Sequence, residues 1–167
     1  MAFGKPKRPV IAVIGGAKVS DKIMVLENLL DKVDTVLIGG GMAYTFLAAT
    51  GIGVGASLCE VEKFEVARAV LAKAAAKGVK LLLPMDHVIA DRFAADANTQ
   101  RVTGAIPAGW MGLDIGQKTT ELYSAEISAA ATVVWNGPMG VFELEPFSHG
   151  TSAIAKVLAA TDNLSIV

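Results

Sequence analysis

Five short apolar runs recur along the chain: Val10–Ile14, Thr35–Ile38, Val79–Leu83, Thr132–Trp135 and Leu164–Val167. Each is nearly continuous rather than alternating, the pattern of strands buried on both faces of a parallel sheet. Between them the period lengthens to that of a helix. Ile23, Leu26, Leu30 and Val33 recur after the first run, and Met42, Phe46, Leu47 and Thr50 after the second. Phe64, Ala67, Leu71 and Ala74 mark a longer helix, opened near a candidate capping box at Ser57 and Glu60 and closed by Gly78. Tyr123, Ile127 and Ala131 predict a fourth helix; Ile154, Val157 and Leu158 predict a fifth. Strand–helix alternation of this kind predicts one α/β domain built on a doubly wound parallel sheet. Residues 85–116 are the least regular: Val88-Ile89-Ala90 reads as a further strand and Gly104 to Leu113 as a long glycine-rich loop.

Composition narrows the classes. The 167 residues suit one domain with a real core, and a formal net charge of -1 favours neither nucleic acid nor an anionic membrane as partner. Cys59 is the only cysteine, so no disulfide framework or zinc cluster is expected, and a cytoplasmic location fits. Apolar residues make up 53%, yet no run nears the roughly 18 residues of a membrane span. Residues 1–9 read as a basic, Pro-rich lead-in rather than a signal peptide or nuclear address, and residues 10–167 as the domain. Leu164–Val167 is an apolar strand with nothing after it, the expectation for a cut chain.

Candidate chemistry collects where strands end in glycine. Val10–Ile14 runs into Gly15-Gly16-Ala17-Lys18-Val19-Ser20-Asp21-Lys22. A strand feeding a helix through two glycines leaves backbone amides and the positive helix end open to an anion. Lys18 and Lys22 oppose the helix dipole there, which predicts a phosphate clamp; two solvated lysines beside a tight turn is the plainer alternative. The stretch is neither a Walker A loop nor a Gly-x-Gly-x-x-Gly fingerprint, which disfavours a nicotinamide dehydrogenase domain. Ile38-Gly39-Gly40-Gly41-Met42 places three glycines between strand and helix, for ligand contact or for packing alike. In Trp135-Asn136-Gly137-Pro138-Met139-Gly140-Val141-Phe142-Glu143, Asn136 can donate to a phosphate oxygen and Glu143 accept from ribose hydroxyls.

Together with Gly109-Trp110-Met111-Gly112-Leu113-Asp114, these stretches resemble the phosphoglycerate kinase family, in its order and near its spacing, from about Arg8 to the last residue. The resemblance implies the family's nucleotide-binding domain, with a Rossmann-like parallel sheet flanked by helices. It implies that Gly16, Ala17 and Lys18 contact nucleotide phosphates and that Lys22 reaches the phosphoryl group in flight. It implies an adenine slot shaped by Gly40, Gly41, Leu58, Gly112, Leu113 and Val141, and it counts Gly140 among the nucleotide-binding residues. Asn136 and Pro138 then lie along the phosphates and sugar, and Glu143 holds the ribose. The substrates implied are ADP/ATP, with Mg2+ carried by the nucleotide, and 1,3-bisphosphoglycerate/3-phosphoglycerate. Two family features are absent: the N-terminal substrate domain and a Gly-Gly-Gly-Asp loop whose aspartate helps hold the Mg-nucleotide. This chain alone is therefore expected to be inactive, although the full-length family acts typically as a monomer; a stand-alone adenine-nucleotide-binding module is the alternative.

Other residues have ordinary readings. His87 and His149 lack partners at ligand spacing, so no metal site is expected. Asp86 suits the cleft or a loop equally, Cys59 is expected to be inert, and Trp110 and Trp135 are expected to anchor packing.

Overall fold

The computed structural model describes residues 7–161 and the strand at 164–166; residues 1–6 of the lead-in and Val167 lie outside the described residues. Its elements are β1 (Val10–Ile14), α1 (Ile23–Leu29), β2 (Thr35–Ile38), α2 (Met42–Ala49), α3 (Phe64–Ala76), β3 (Lys80–Leu82), β4 (Asp86–Ala90), β5 (Thr99–Thr103), β6 (Met111–Ile115), α4 (Gln117–Ala129), β7 (Thr132–Asn136), α5 (His149–Ala160) and β8 (Leu164–Ile166). A five-stranded sheet runs β3-β2-β1-β7-β8, every pair parallel. Strand order reverses at β1, because β2 and β3 extend to one side and β7 and β8 to the other. The carboxyl ends of β1 and β7 therefore flank a topological switch point, the usual place for a ligand in an open α/β sheet.

Alternate side chains of β1 enter opposite cores, which is why the run reads as continuously apolar. Val10, Ala12 and Ile14 pack with Leu26 and Leu30 near α1, Phe46 of α2 and Val70 of α3. Ile11 and Val13 pack with Tyr123 and Ile127 of α4 and Ile154 and Leu158 of α5. Full burial of each such side chain contributes roughly 1.5–3 kcal/mol. The Tyr123 hydroxyl, deep in the second core, lies 2.6 Å from the Ile38 carbonyl at the end of β2. Among the described residues no helix is long and apolar enough to cross a membrane.

A second sheet, β5-β4-β6, is antiparallel and corrects the sequence reading of residues 85–116. The expected strand at Val88–Ala90 begins earlier, at Asp86. β5, Thr-Gln-Arg-Val-Thr, is almost wholly exposed and offers no apolar alternation, so nothing in its pattern marks a strand. The expected loop from Gly104 to Leu113 stops at Trp110, since Met111, Gly112 and Leu113 pair with β4 as part of β6. Tyr44 and Leu47 of α2 pack on this sheet with Ile89 and Ile106, which fixes it against the main domain.

The capping box expected at Ser57 and Glu60 does not form. No side chain caps the start of α3; Ser57 Oγ instead accepts the Gly112 amide at 2.8 Å, and the Glu60 carboxylate reaches Ser20. Both residues serve long-range ties rather than the local helix.

Candidate functional site

The turn after β1 is built by close backbone crossing. Gly15 donates to the Asn136 carbonyl at 2.8 Å, and a Cβ on Gly15 would stand 2.0 Å from the Pro138 carbonyl oxygen. Only glycine allows that approach. Gly40 meets the same demand from the next strand: its φ is +74° and a Cβ there would lie 2.6 Å from the Gly16 nitrogen. Three strand-end turns thus touch main chain to main chain. The glycine triplet packs and also faces the cleft, for Gly40 and Gly41 line it.

Lys18 and Lys22 do not share a face of one helix. Lys18 is extended, a 3-10 turn occupies Val19–Asp21, and Lys22 stands just before α1. Lys18 is exposed; Lys22 is half-buried and folds back across Gly16, and its ammonium meets the side-chain oxygen of Asn136. The anion seat also shifts. Glu60 accepts from the amide of Ser20, so that donor is already used, and the Val19 backbone also favours the Glu60 carboxylate. The amides of Gly16, Ala17 and Lys18, one residue run upstream, have no acceptor among the described residues. Bare amides on a glycine turn are open to an anion.

Beside this turn lies a mainly apolar cavity of about 490 Å³. It is lined by Gly16, Ala17, Gly40, Gly41, Leu58, Gly112, Leu113, Pro138, Gly140, Val141 and Glu143, each of which the sequence had singled out. Lys18, Lys22 and Asn136 stand outside its wall, next to Gly16 and at the end of β7. Ala56, Phe93 and Met111 complete the lining and were missed. Phe93 sits in the turn between β4 and β5 and is 62% exposed; an aromatic ring directly after Asp91 and Arg92 was the available signal. Val141 donates to the Leu113 carbonyl at 2.9 Å and so closes β6 against the loop after β7. The Glu143 carboxylate is exposed at the rim and has no protein donor among the described residues. The cavity is therefore apolar in its depth, with an acceptor on one edge and the Gly16–Ala17 turn on another, beyond which Lys18 and Lys22 stand.

Behind the wall, Asp114 is buried and accepts the amides of Ile115 and Gly150, while burial pushes its carboxyl up to about 6. Asp86 is neither in the cleft nor in a loop. It starts β4 and accepts the Lys118 and Thr119 amides at 2.9 and 2.8 Å, capping α4 from outside; those bonds hold its carboxyl below the usual range despite burial. Burial pushes His87 down to about 4, and its Nδ1 has no partner. The Cys59 thiol is pushed up by burial, away from reactivity. Among the described residues no three His, Cys, Asp or Glu side chains gather closely enough to hold a metal ion. A larger hollow of about 820 Å³ lies between β5 and the starts of α4 and α5, lined by Arg101, Gln117, Glu121, Glu145 and His149. Its charges are mixed.

Comparison with known proteins identifies the family. The family profile "Phosphoglycerate kinase" matches residues 1–167. A curated phosphoglycerate kinase of Acidobacterium capsulatum is 59% identical over 168 residues, covering 99% of this chain and 41% of that protein. One from Moorella thermoacetica is 56% identical over 167 residues, covering 99% and 42%. The solved phosphoglycerate kinase of Coxiella burnetii superposes with a TM-score of 0.95 at 45% identity, over 98% of this chain and 42% of that one. That of Pyrococcus horikoshii OT3 gives 0.83 at 28% identity. The chain thus spans about two fifths of the length of the curated relatives it matches, and it belongs to the phosphoglycerate kinase family.

Proposed function

We propose that this chain is the nucleotide-binding half of a phosphoglycerate kinase, which passes a phosphoryl group between ADP/ATP and 1,3-bisphosphoglycerate/3-phosphoglycerate. The observation that carries the proposal is the polarity of one continuous cleft. An apolar slot fits a purine, the Glu143 carboxylate beside it fits ribose hydroxyls, and the bare amides of Gly16, Ala17 and Lys18 fit phosphates. Lys22 then supplies a cation where charge spreads over the transferring group. Asn136 accepts from Lys22 with its oxygen, which leaves its amide nitrogen to donate to a phosphate oxygen.

In the direction of ATP synthesis, a terminal oxygen of Mg-ADP forms the new P–O bond as the acyl-phosphate P–O bond breaks. The departing carboxylate is a good leaving group and needs no proton from this half. The task of the residues here is to place the nucleotide and balance its charge. The acyl-phosphate partner is held by parts of the protein beyond this chain.

Calorimetric titration with Mg-ADP, beside a coupled turnover assay of the same sample, tests the proposal. Weak binding and no turnover are expected, because losing the opposing half forfeits roughly 7–11 kcal/mol of proximity. Absence of any Mg-ADP binding overturns the nucleotide reading. Turnover in a preparation free of host enzyme overturns the division of labour.

A further inference from the structure

Glu60 is a buried carboxylate, 8% exposed, that no part of the proposed chemistry uses. It lies two residues from Leu58, on the segment that walls the apolar slot, yet it acts on the other end of the cleft. One oxygen accepts the Ser20 amide at 3.2 Å and the other accepts the Ser20 hydroxyl at 2.8 Å, while the Val19 backbone also favours its charged form. Its own backbone is fixed too: its amide donates to Thr45 Oγ1 of α2 at 3.0 Å, and its carbonyl accepts from Lys63 at 2.9 Å. These are the ties of a strut. We propose that Glu60 is a positioning residue that fixes the Lys18–Lys22 turn, holding the Gly16–Lys18 amides and the Lys22 ammonium in register for the phosphates of the nucleotide. The inference rests on the nucleotide reading above and deepens it.

Two physical effects of Glu60 have opposite signs, which makes the role testable. As a negative charge near Lys18, it weakens anion binding, so its removal by charge alone tightens the site. As a strut, it keeps the turn in the conformation that presents three bare amides, so its removal loosens the site. The hydrogen-bond geometry favours the second effect: both donors of Ser20 converge on one carboxylate, one to each oxygen, and such charge-assisted bonds are the stronger class. A glutamine in its place keeps the volume but offers one acceptor atom where two are used. An aspartate keeps the charge but shortens the reach.

The experiment compares this chain with its Glu60→Gln, Glu60→Asp and Ser20→Ala variants, using three probes: Mg-ADP, inorganic tripolyphosphate and adenosine. Ser20 is exposed, so its variant keeps the buried carboxylate in place and folds regardless of Glu60→Gln. Glu60→Gln should weaken Mg-ADP and tripolyphosphate about tenfold, and Ser20→Ala about threefold, while adenosine affinity stays within about twofold. Glu60→Asp should resemble Glu60→Gln, because reach rather than charge is lost. A general loss of structure lowers all three probes together and overturns the proposal. So does unchanged or tighter tripolyphosphate binding in Glu60→Gln and Ser20→Ala. Failure of the unaltered chain to bind Mg-ADP or tripolyphosphate overturns instead the nucleotide reading on which the proposal stands.

Discussion

Asp114 accepts the amide of Gly150 at 3.0 Å, fastening β6, a wall of the cleft, to the first turn of α5. Its carboxyl is nonetheless raised to about 6, because burial outweighs that bond and the one from Ile115. Between the unfolded value of 3.8 and the folded value near 6, the folded chain holds a proton that the unfolded chain has released. The stability from Asp114 is therefore full below 3.8 and lost as pH rises through 6.

His87 runs the other way. Burial lowers it from 6.5 to about 4, so the stability of its neutral form is full above 6.5 and lost as pH falls toward 4. Each slope integrates to roughly 3 kcal/mol, and across that acid window the two nearly cancel. Urea unfolding at pH 6.5 and pH 4.5 checks this. Asp114→Asn should lose most of that amount on acidification, whereas His87→Leu should gain it. Parallel behaviour of the two variants contradicts the assignment.

Lys22→Ala should leave the thermal midpoint nearly unchanged and remove most turnover in the full-length protein. The side chain is half-buried over Gly16 and touches the Asn136 oxygen, so truncation frees a surface acceptor rather than opening the core. Removing one such electrostatic partner of a transition state costs roughly 10²–10³ in kcat. Near-normal turnover removes Lys22 from the reaction.

Glu143→Ala should weaken Mg-ADP while leaving tripolyphosphate unchanged or tighter. A carboxylate accepting sugar hydroxyls contributes about 1.5–3 kcal/mol, and inorganic phosphate offers it nothing. Equal losses for both ligands place the carboxylate on the phosphates instead.

Asp86→Ala should destabilise the fold by about 2–4 kcal/mol without changing adenosine affinity at a temperature where the variant is folded. It leaves the amides of Lys118 and Thr119 without their acceptor and the Thr119 hydroxyl with only the longer contact to the residue 86 carbonyl, and Thr119 is fully buried. Chemical denaturation and adenosine titration together test the two halves of that statement.

What the sequence conveyed depended on how each feature is encoded. The parallel strands were legible because burial on both faces writes a continuous apolar run, as in Val10–Ile14. The glycine turns were legible because close approach admits little else, and eleven of the flagged residues meet in one cavity. β5 was not legible, since an exposed strand such as Thr99–Thr103 is set by its pairing with β4 and not by its own polarity. Glu60 was misread because the pattern Ser-x-x-Glu matches a local cap, while its actual donors lie 40 residues upstream. Phe93 was passed over because an aromatic in a polar turn has meaning only once the fold brings it to the cleft.

The order of strands also sets an order in time. β1 pairs with β2 within the first forty or so residues, but its other edge waits for β7, with Val10 meeting Thr132 and Ile14 meeting Asn136. While the chain is being made, the central strand carries one bare edge and half a core until β7 has emerged. Long-range parallel pairing of this kind is slow, because loop closure precedes any gain from contact. Gly15 and Pro138 cross only once β7 has paired with β1, so the cleft cannot form before that long-range closure. A nascent chain displaying β1 to β3 should present the Gly16–Lys18 turn with no Asn136 beside it.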